Sequence, residues 1–165
     1  MLRSVAYVSF QELATRISHR NTGKYTQDPY CEQMLARIAQ DENLHMVFYR
    51  NLLAAALEIA PEQTLQAVRD VVSNFQMPGH TIEDFGRRSV QIAMAGIYDL
   101  RIHRDEVLQP ILRQWDVWDM PGLGGEGQKA RDQLGEFMET LETQAARFED
   151  KREQWRARQA ARAQG

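Results

Sequence analysis

At 165 residues the chain is long enough for one domain with a real core and gives no reason to expect several. Hydrophobic residues make up 43% and charged residues 26%, the balance of a globular protein, and a net charge of −3 argues against a basic nucleic-acid surface. The single Cys31 excludes an internal disulfide and fits a reducing compartment, no apolar run is long enough to span a bilayer, and the N-terminus lacks the layout of a signal peptide. The expectation is a cytoplasmic protein with no nucleic-acid partner and no transmembrane segment.

Leu2 to about Thr22 reads as a first helix. Val5, Tyr7, Val8 and Phe10 leave a strand open at its start, but the spacing of Glu12, Thr15 and His19 argues for helix. Asn21-Thr22-Gly23 predicts its stop, with the glycine as a left-handed cap. Asp28-Pro29 opens a second helix, Asp28 as N-cap and Pro29 at the first helical position, running to about Ile59. Pro61 opens a third, ending at Met77-Pro78-Gly79. A looser segment covers His80 to Arg88, followed by helices over Ser89–Leu100 and Arg104–Gln114. Trp115 to Gly125 is a loop broken by Pro121-Gly122 and Gly124-Gly125. The last helix begins near Glu126, with an apolar seam of Ala130, Leu134, Phe137 and Leu141 that gives way to charge beyond Phe148. The fold class is all-α and the domain covers residues 1–155, with 156–165 as a frayed tail.

Two seams carry the chemistry. In the second helix, Leu35, Ile38, Glu42, His45, Tyr49, Leu52 and Ala56 recur in steps of three and four, the rhythm of a core-facing stripe. Glu42 and His45 therefore share one face, one turn apart, and are expected to point inward. A buried ionised carboxylate needs a partner, and a metal ion is one. In the first helix, Val5, Val8, Glu12, Thr15, His19 and Thr22 follow the same rhythm. Glu12 lies roughly 15 Å and Glu42 roughly 20 Å from the connecting loop at about 1.5 Å per residue, so an antiparallel hairpin brings them nearly level. A Glu on one helix and Glu-x-x-His on its neighbour is half of the carboxylate-bridged di-iron set found inside four-helix bundles.

Each residue has a plainer reading beside this one. Glu42 can be a surface acid and His45 a satisfied core histidine. Thr15 can be a small residue bonding its own backbone, or a hydroxyl beside a metal-bound oxygen. Asp41 can be a solvated acid, or an acceptor that orients a ligand histidine supplied from elsewhere. His19 reads as a buried, hydrogen-bonded histidine rather than a ligand, and His80 and His103 have no partners at metal-ligand spacing. Met34, Met46, Met77 and Met94 read as core filling. Cys31 has no histidine placed to activate it, and no phosphate-binding glycine loop is present.

Three blocks resemble the acyl-[acyl-carrier-protein] desaturases, most closely those of the mycobacterial type. They are Ser9-Phe10-Gln11-Glu12-Leu13-Ala14-Thr15 with Ile17-Ser18-His19 and Asn21-Thr22; Asp41-Glu42-Asn43-Leu44-His45; and Gly122-Leu123-Gly124-Gly125-Glu126-Gly127-Gln128-Lys129-Ala130. The resemblance implies a ferritin-like bundle with further C-terminal helices, a homodimer, and a non-haem di-iron (Fe) centre. That centre uses dioxygen and electrons from a ferredoxin-type donor to place a cis double bond in an acyl chain held on acyl carrier protein, a step of fatty acid biosynthesis. It further implies that Glu12 binds one iron, Glu42 bridges both, and His45 binds the same iron as Glu12. Thr15 would stand on the oxygen-binding side, and Asp41 would hold a histidine of the family's first Glu-x-x-His motif.

That first motif, its companion Glu and the helices bearing them have no counterpart here, so the chain is expected to be the C-terminal portion of such an enzyme, carrying half the iron ligands. Completion by a second copy in a homodimer, or by an N-terminal half, would restore the count. Two other readings stand beside the desaturase. One is another ferritin-like di-iron protein. The other is a catalytically inert helical interaction module. Arg87-Arg88 is the one candidate basic spot for an acidic carrier protein, and a solvated turn is its plainer reading.

Overall fold

The computed structural model describes residues 1–163, and no strand occurs among them. The all-α expectation holds, and the helices pack as a ferritin-like bundle.

Two long helices, α1 (Leu2–Thr26) and α2 (Pro29–Ile59), form an antiparallel hairpin. Asp28 behaves as read: its carboxylate accepts from the backbone N–H of Tyr30 at 2.8 Å and of Cys31 at 3.0 Å, and Pro29 takes the position where no N–H is needed. The stop of α1 differs. The helix runs through Gly23 to Thr26 and ends on Gln27, at φ 53. Gly23 serves the crossing instead, since a Cβ there would lie 3.1 Å from the Cα of Glu32.

The remaining helices close one side of the hairpin. α3 (Pro61–Ser73) packs on α1 and on the long α7 (Gly125–Ala163). It ends four residues sooner than expected, and turns occupy most of 77–84. α4 (Phe85–Met94) starts earlier and stops earlier than its sequence pattern, at Gly96 with φ 76. α5 (Leu100–Ile102), a π-helical stretch (His103–Leu108) and α6 (Gln109–Gln114) follow without a break. Pro110 lies one turn beyond Glu106, where a regular helix would set its ring against the Glu106 carbonyl; the wider π turn relieves that clash. α7 persists to Ala163, so residues 156–163 are helical rather than frayed, although exposed; Gln164 and Gly165 lie outside the described residues.

The core lies between α1, α2, α3, α6 and α7. Phe10, Leu53, Leu65, Leu108, Ile111 and Leu134 are fully buried in it. Phe10 meets Trp115 edge to face at 5.5 Å, and the indole N–H donates to the Arg50 carbonyl at 3.0 Å, tying the 115–124 loop to α2. Glu62, in the first turn of α3, accepts from the Gly124 N–H at 2.7 Å, just ahead of α7, where a carboxylate complements the helix dipole. That contact gives the glycine-rich block a structural task. Arg101 holds Glu142 at 2.5 Å and Glu149 at 3.1 Å, which clamps the α5 region to α7.

Both predicted seams are displaced. The deepest residues of α1 are Ala6, Phe10, Leu13, Ala14 and Ile17, and those of α2 are Ala39, Met46, Leu53 and Leu57. The seams through Glu12 and Glu42 run along the rim of this core. Of the four methionines, Met46 is buried, Met77 and Met94 half-buried, and Met34 exposed, so Met34 fills no core.

Candidate metal centre

Glu12 on α1 and Glu42 and His45 on α2 converge at the middle of the hairpin, each offering one donor atom within 4.8 Å of the others. His45 Nδ1 stands 3.4 Å from Glu12 Oε2 and 3.5 Å from Glu42 Oε2. Both carboxylates are largely covered, with 14% and 19% of the side chain accessible, whereas His45 is 59% accessible. The inward orientation expected for His45 is therefore wrong. Glu42 lies at the angle of α2 that meets α1, and His45 lies a sixth of a turn round, on the outer flank of the helix.

Two carboxylates this close repel. Partial burial, a proton shared with Glu42 and the Glu42 charge push the Glu12 carboxyl up to about 7, against the smaller opposing pull of His45. A cation removes both penalties, and a pair of carboxylates with an imidazole is the donor set suited to non-haem iron, so these residues fit such an ion. The distances between imidazole and carboxylates are longer than direct hydrogen bonds, leaving the trio loosely tied.

His19 differs from its reading. It is half-exposed, with Nε2 3.7 Å from Glu42 Oε1, so it stands at the edge of the cluster and not in the core. The spacing from Glu12 through Thr15 to His19 carried that signal. Thr15 is half-buried, and its hydroxyl donates to the carbonyls of Gln11 and Glu12, both at 3.0 Å, as the plainer reading had it. Asp41 is exposed and has no hydrogen bond or ion pair among the described residues. It lines a recess beside Arg16, Arg20 and Arg37 and is not joined to the trio.

Around Asp41 and His45, the outer flank of α2 exposes Tyr30, Met34, Phe48, Leu52 and Ile59. Successive members are separated by close to whole numbers of helical turns, so they share one side of the helix, in a group at each end of it. Sequence reasoning took the neighbouring stripe, Leu52 included, as the buried one and missed this second apolar face. Arg87, half of the candidate basic spot, is held by Asp84 at 2.8 Å.

Comparison with known proteins adds the lineage. The fatty acid desaturase family profile matches residues 1–164. A Mycobacterium tuberculosis protein named as an acyl-[acyl-carrier-protein] desaturase, DesA1, is 49% identical over 146 residues, covering 88% of this chain and 43% of its own length. Stearoyl-[acyl-carrier-protein] 9-desaturase 5 of Oryza sativa is 35% identical over 93% of this chain and 40% of its own length. Palmitoyl-[acyl-carrier-protein] 4-desaturase of Coriandrum sativum is 34% identical over 88% of this chain and 39% of its own length. The chain thus spans about two fifths of the length of these relatives.

Proposed function

The chain belongs to the fatty acid desaturase family, and on that premise we propose that it carries half of the di-iron centre of an acyl-[acyl-carrier-protein] desaturase. The supporting observation is the convergence of Glu12, Glu42 and His45 within 4.8 Å at the crossing of two helices whose outer flank is open. Glu12, Glu42 and His45 would be this chain's share of the residues that hold the iron. Bound there, iron would supply the activation of dioxygen needed to oxidise an unactivated methylene, which side chains alone cannot do.

The chain's own residues have separate tasks in this reading. The hairpin fixes the spacing of the two carboxylates through the packing of α1 against α2, in which Ala14, Ala39 and Met46 are buried. Thr15 can donate toward the site only by releasing its bond to the Gln11 and Glu12 carbonyls, a rotation of one hydroxyl. Asp41 accepts from a histidine that another segment brings onto the outer flank. That segment, carrying the other Glu and Glu-x-x-His, comes either from a second copy of this chain or from an N-terminal complement. The acyl chain arrives on acyl carrier protein and electrons arrive from a ferredoxin-type donor. A cytoplasmic location goes with this reading, supported by the single free Cys31, which fits a reducing compartment.

The test is iron stoichiometry on anaerobically loaded protein, with the mass read by light scattering. Iron at about two per dimer, abolished in Glu42→Ala/His45→Ala, is the outcome expected if two copies build the centre. No iron in the chain alone, but iron in a mixture with an N-terminal half, assigns completion to that half. No iron in either preparation sinks the metal reading and leaves a helical interaction module.

A further inference from the structure

A second site stands apart from the carboxylates. Phe75, Met77, Val90, Ala93, Leu100 and Phe148 wall an apolar cavity of about 380 Å³ between α4, α5 and α7. Ser89, Asp99, Tyr98 and His103 complete its lining with the few polar groups it has. The last two satisfy each other, with the Tyr98 hydroxyl and His103 Nδ1 2.8 Å apart, and Phe75 covers the imidazole face at 4.8 Å between ring centres. Burial keeps His103 neutral and the Tyr98 hydroxyl protonated, and the Asp99 carboxylate in the lining is already paired with Arg152. His103 also begins the π-helical stretch, a distortion that recurs at functional sites.

A wider recess of about 810 Å³ adjoins this cavity, and Val90 and Phe148 line both. Its wall includes Lys151, Trp155 and Arg156 from one face of α7, and no carboxylate lines it among the described residues. Arg156 is held there by its bond to the Met94 carbonyl at 3.2 Å, and Lys151 has no ion-pair partner among the described residues. Arg152, paired with Asp99 at 2.5 Å and lying 5.7 Å over the Phe148 ring, fixes the wall between the two spaces.

An apolar cavity opening to a cationic recess matches one class of molecule. We propose that this double recess binds an anionic single-chain amphiphile, a long-chain carboxylic acid, with its tail in the cavity walled by Phe75, Ala93 and Phe148 and its carboxylate at Lys151 and Arg156. The size and the apolar lining with few polar groups are those of small-molecule sites. Glu12, His19, Glu42 and His45 line neither space, so the proposal is independent of the metal reading.

Calorimetric titration of the full chain with dodecanoate and with dodecan-1-ol tests it. The expected result is saturable one-to-one binding of dodecanoate. Val90→Trp, which fills the neck from an exposed position, weakens both probes about tenfold or more. Lys151→Glu/Arg156→Glu, on exposed positions that leave folding intact, weakens dodecanoate about tenfold and dodecanol hardly at all. Glu42→Ala/His45→Ala leaves both affinities unchanged. Equal loss of the two probes in the charge-reversal variant, undiminished binding in Val90→Trp, or cross-linking of a diazirine-bearing dodecanoate to residues 30–59 in place of α4 and Phe148 would overturn the assignment.

Discussion

Glu12 and Glu42 were legible from spacing alone because the rise of a helix fixes how far each stands from the turn, whatever surrounds them. The same spacing brought His45 to them, but its exposure was not legible, because it depends on what lies against the outer flank of α2, and no local pattern encodes that. His103 was also missed. It has no partner at ligand spacing, and its role comes from Tyr98 and Phe75, both brought to it by the fold. Its burial carries a consequence for stability. The imidazole titrates at about 4 in the folded chain, against 6.5 when solvated. Between those values the unfolded chain binds a proton that the folded chain refuses, so acidification from pH 6.5 to 4 removes stability, by about 3 kcal/mol for this residue. Denaturant titrations at pH 7 and pH 4.5 should therefore show a smaller loss in His103→Gln than in the wild type. Equal losses would mean that the imidazole is hydrated.

At the scale of the helices, the punctuation was read correctly where a local hydrogen bond decides it and incorrectly where packing does. Asp28-Pro29 opened α2 as expected, since the cap is made within four residues. Gly23 looked like a stop and proved to be a crossing point, because the partner that needs it, Glu32, comes from the next helix. The same contrast predicts opposite signs for two substitutions. Gly23→Val sets side-chain carbon against the α2 backbone, with a first contact of 3.1 Å, and should cost about 2 kcal/mol despite the better helix former. Gly135→Ala, within α7, meets only the Trp118 ring at 3.9 Å and should gain about 0.5–1 kcal/mol from helix propensity. Thermal unfolding of the two variants beside the wild type checks both; a stabilised Gly23→Val would show that the hairpin can open at that end without loss.

For the whole molecule, the open question is what covers the outer flank of α2. The other flank is packed into the core through Ala39, Met46, Leu53 and Leu57, yet Tyr30, Met34, Phe48, Leu52 and Ile59 are left in solvent. Large apolar side chains exposed along one side of a helix are the kind of surface that marks an interface. Its polar members are informative: Asp41 stands in the stripe without a partner among the described residues, and His45 stands at its edge facing the carboxylates. On the proposed reading, a covering surface is apolar, offers Asp41 a donor and supplies further metal donors. A second copy of the hairpin brings two more Glu and a further imidazole, so the chain alone is expected to self-associate through this face. Phe48→Glu/Leu52→Glu should then raise the dimer dissociation constant about tenfold or more while leaving the melting temperature of the monomer nearly unchanged, because both positions are exposed. Sedimentation or light scattering across a concentration series reads the first, and iron per chain should fall in step with it. Iron binding that survives in the monomeric variant would mean that Glu12, Glu42 and His45 with water suffice for one ion, and that the apolar face serves a different chain.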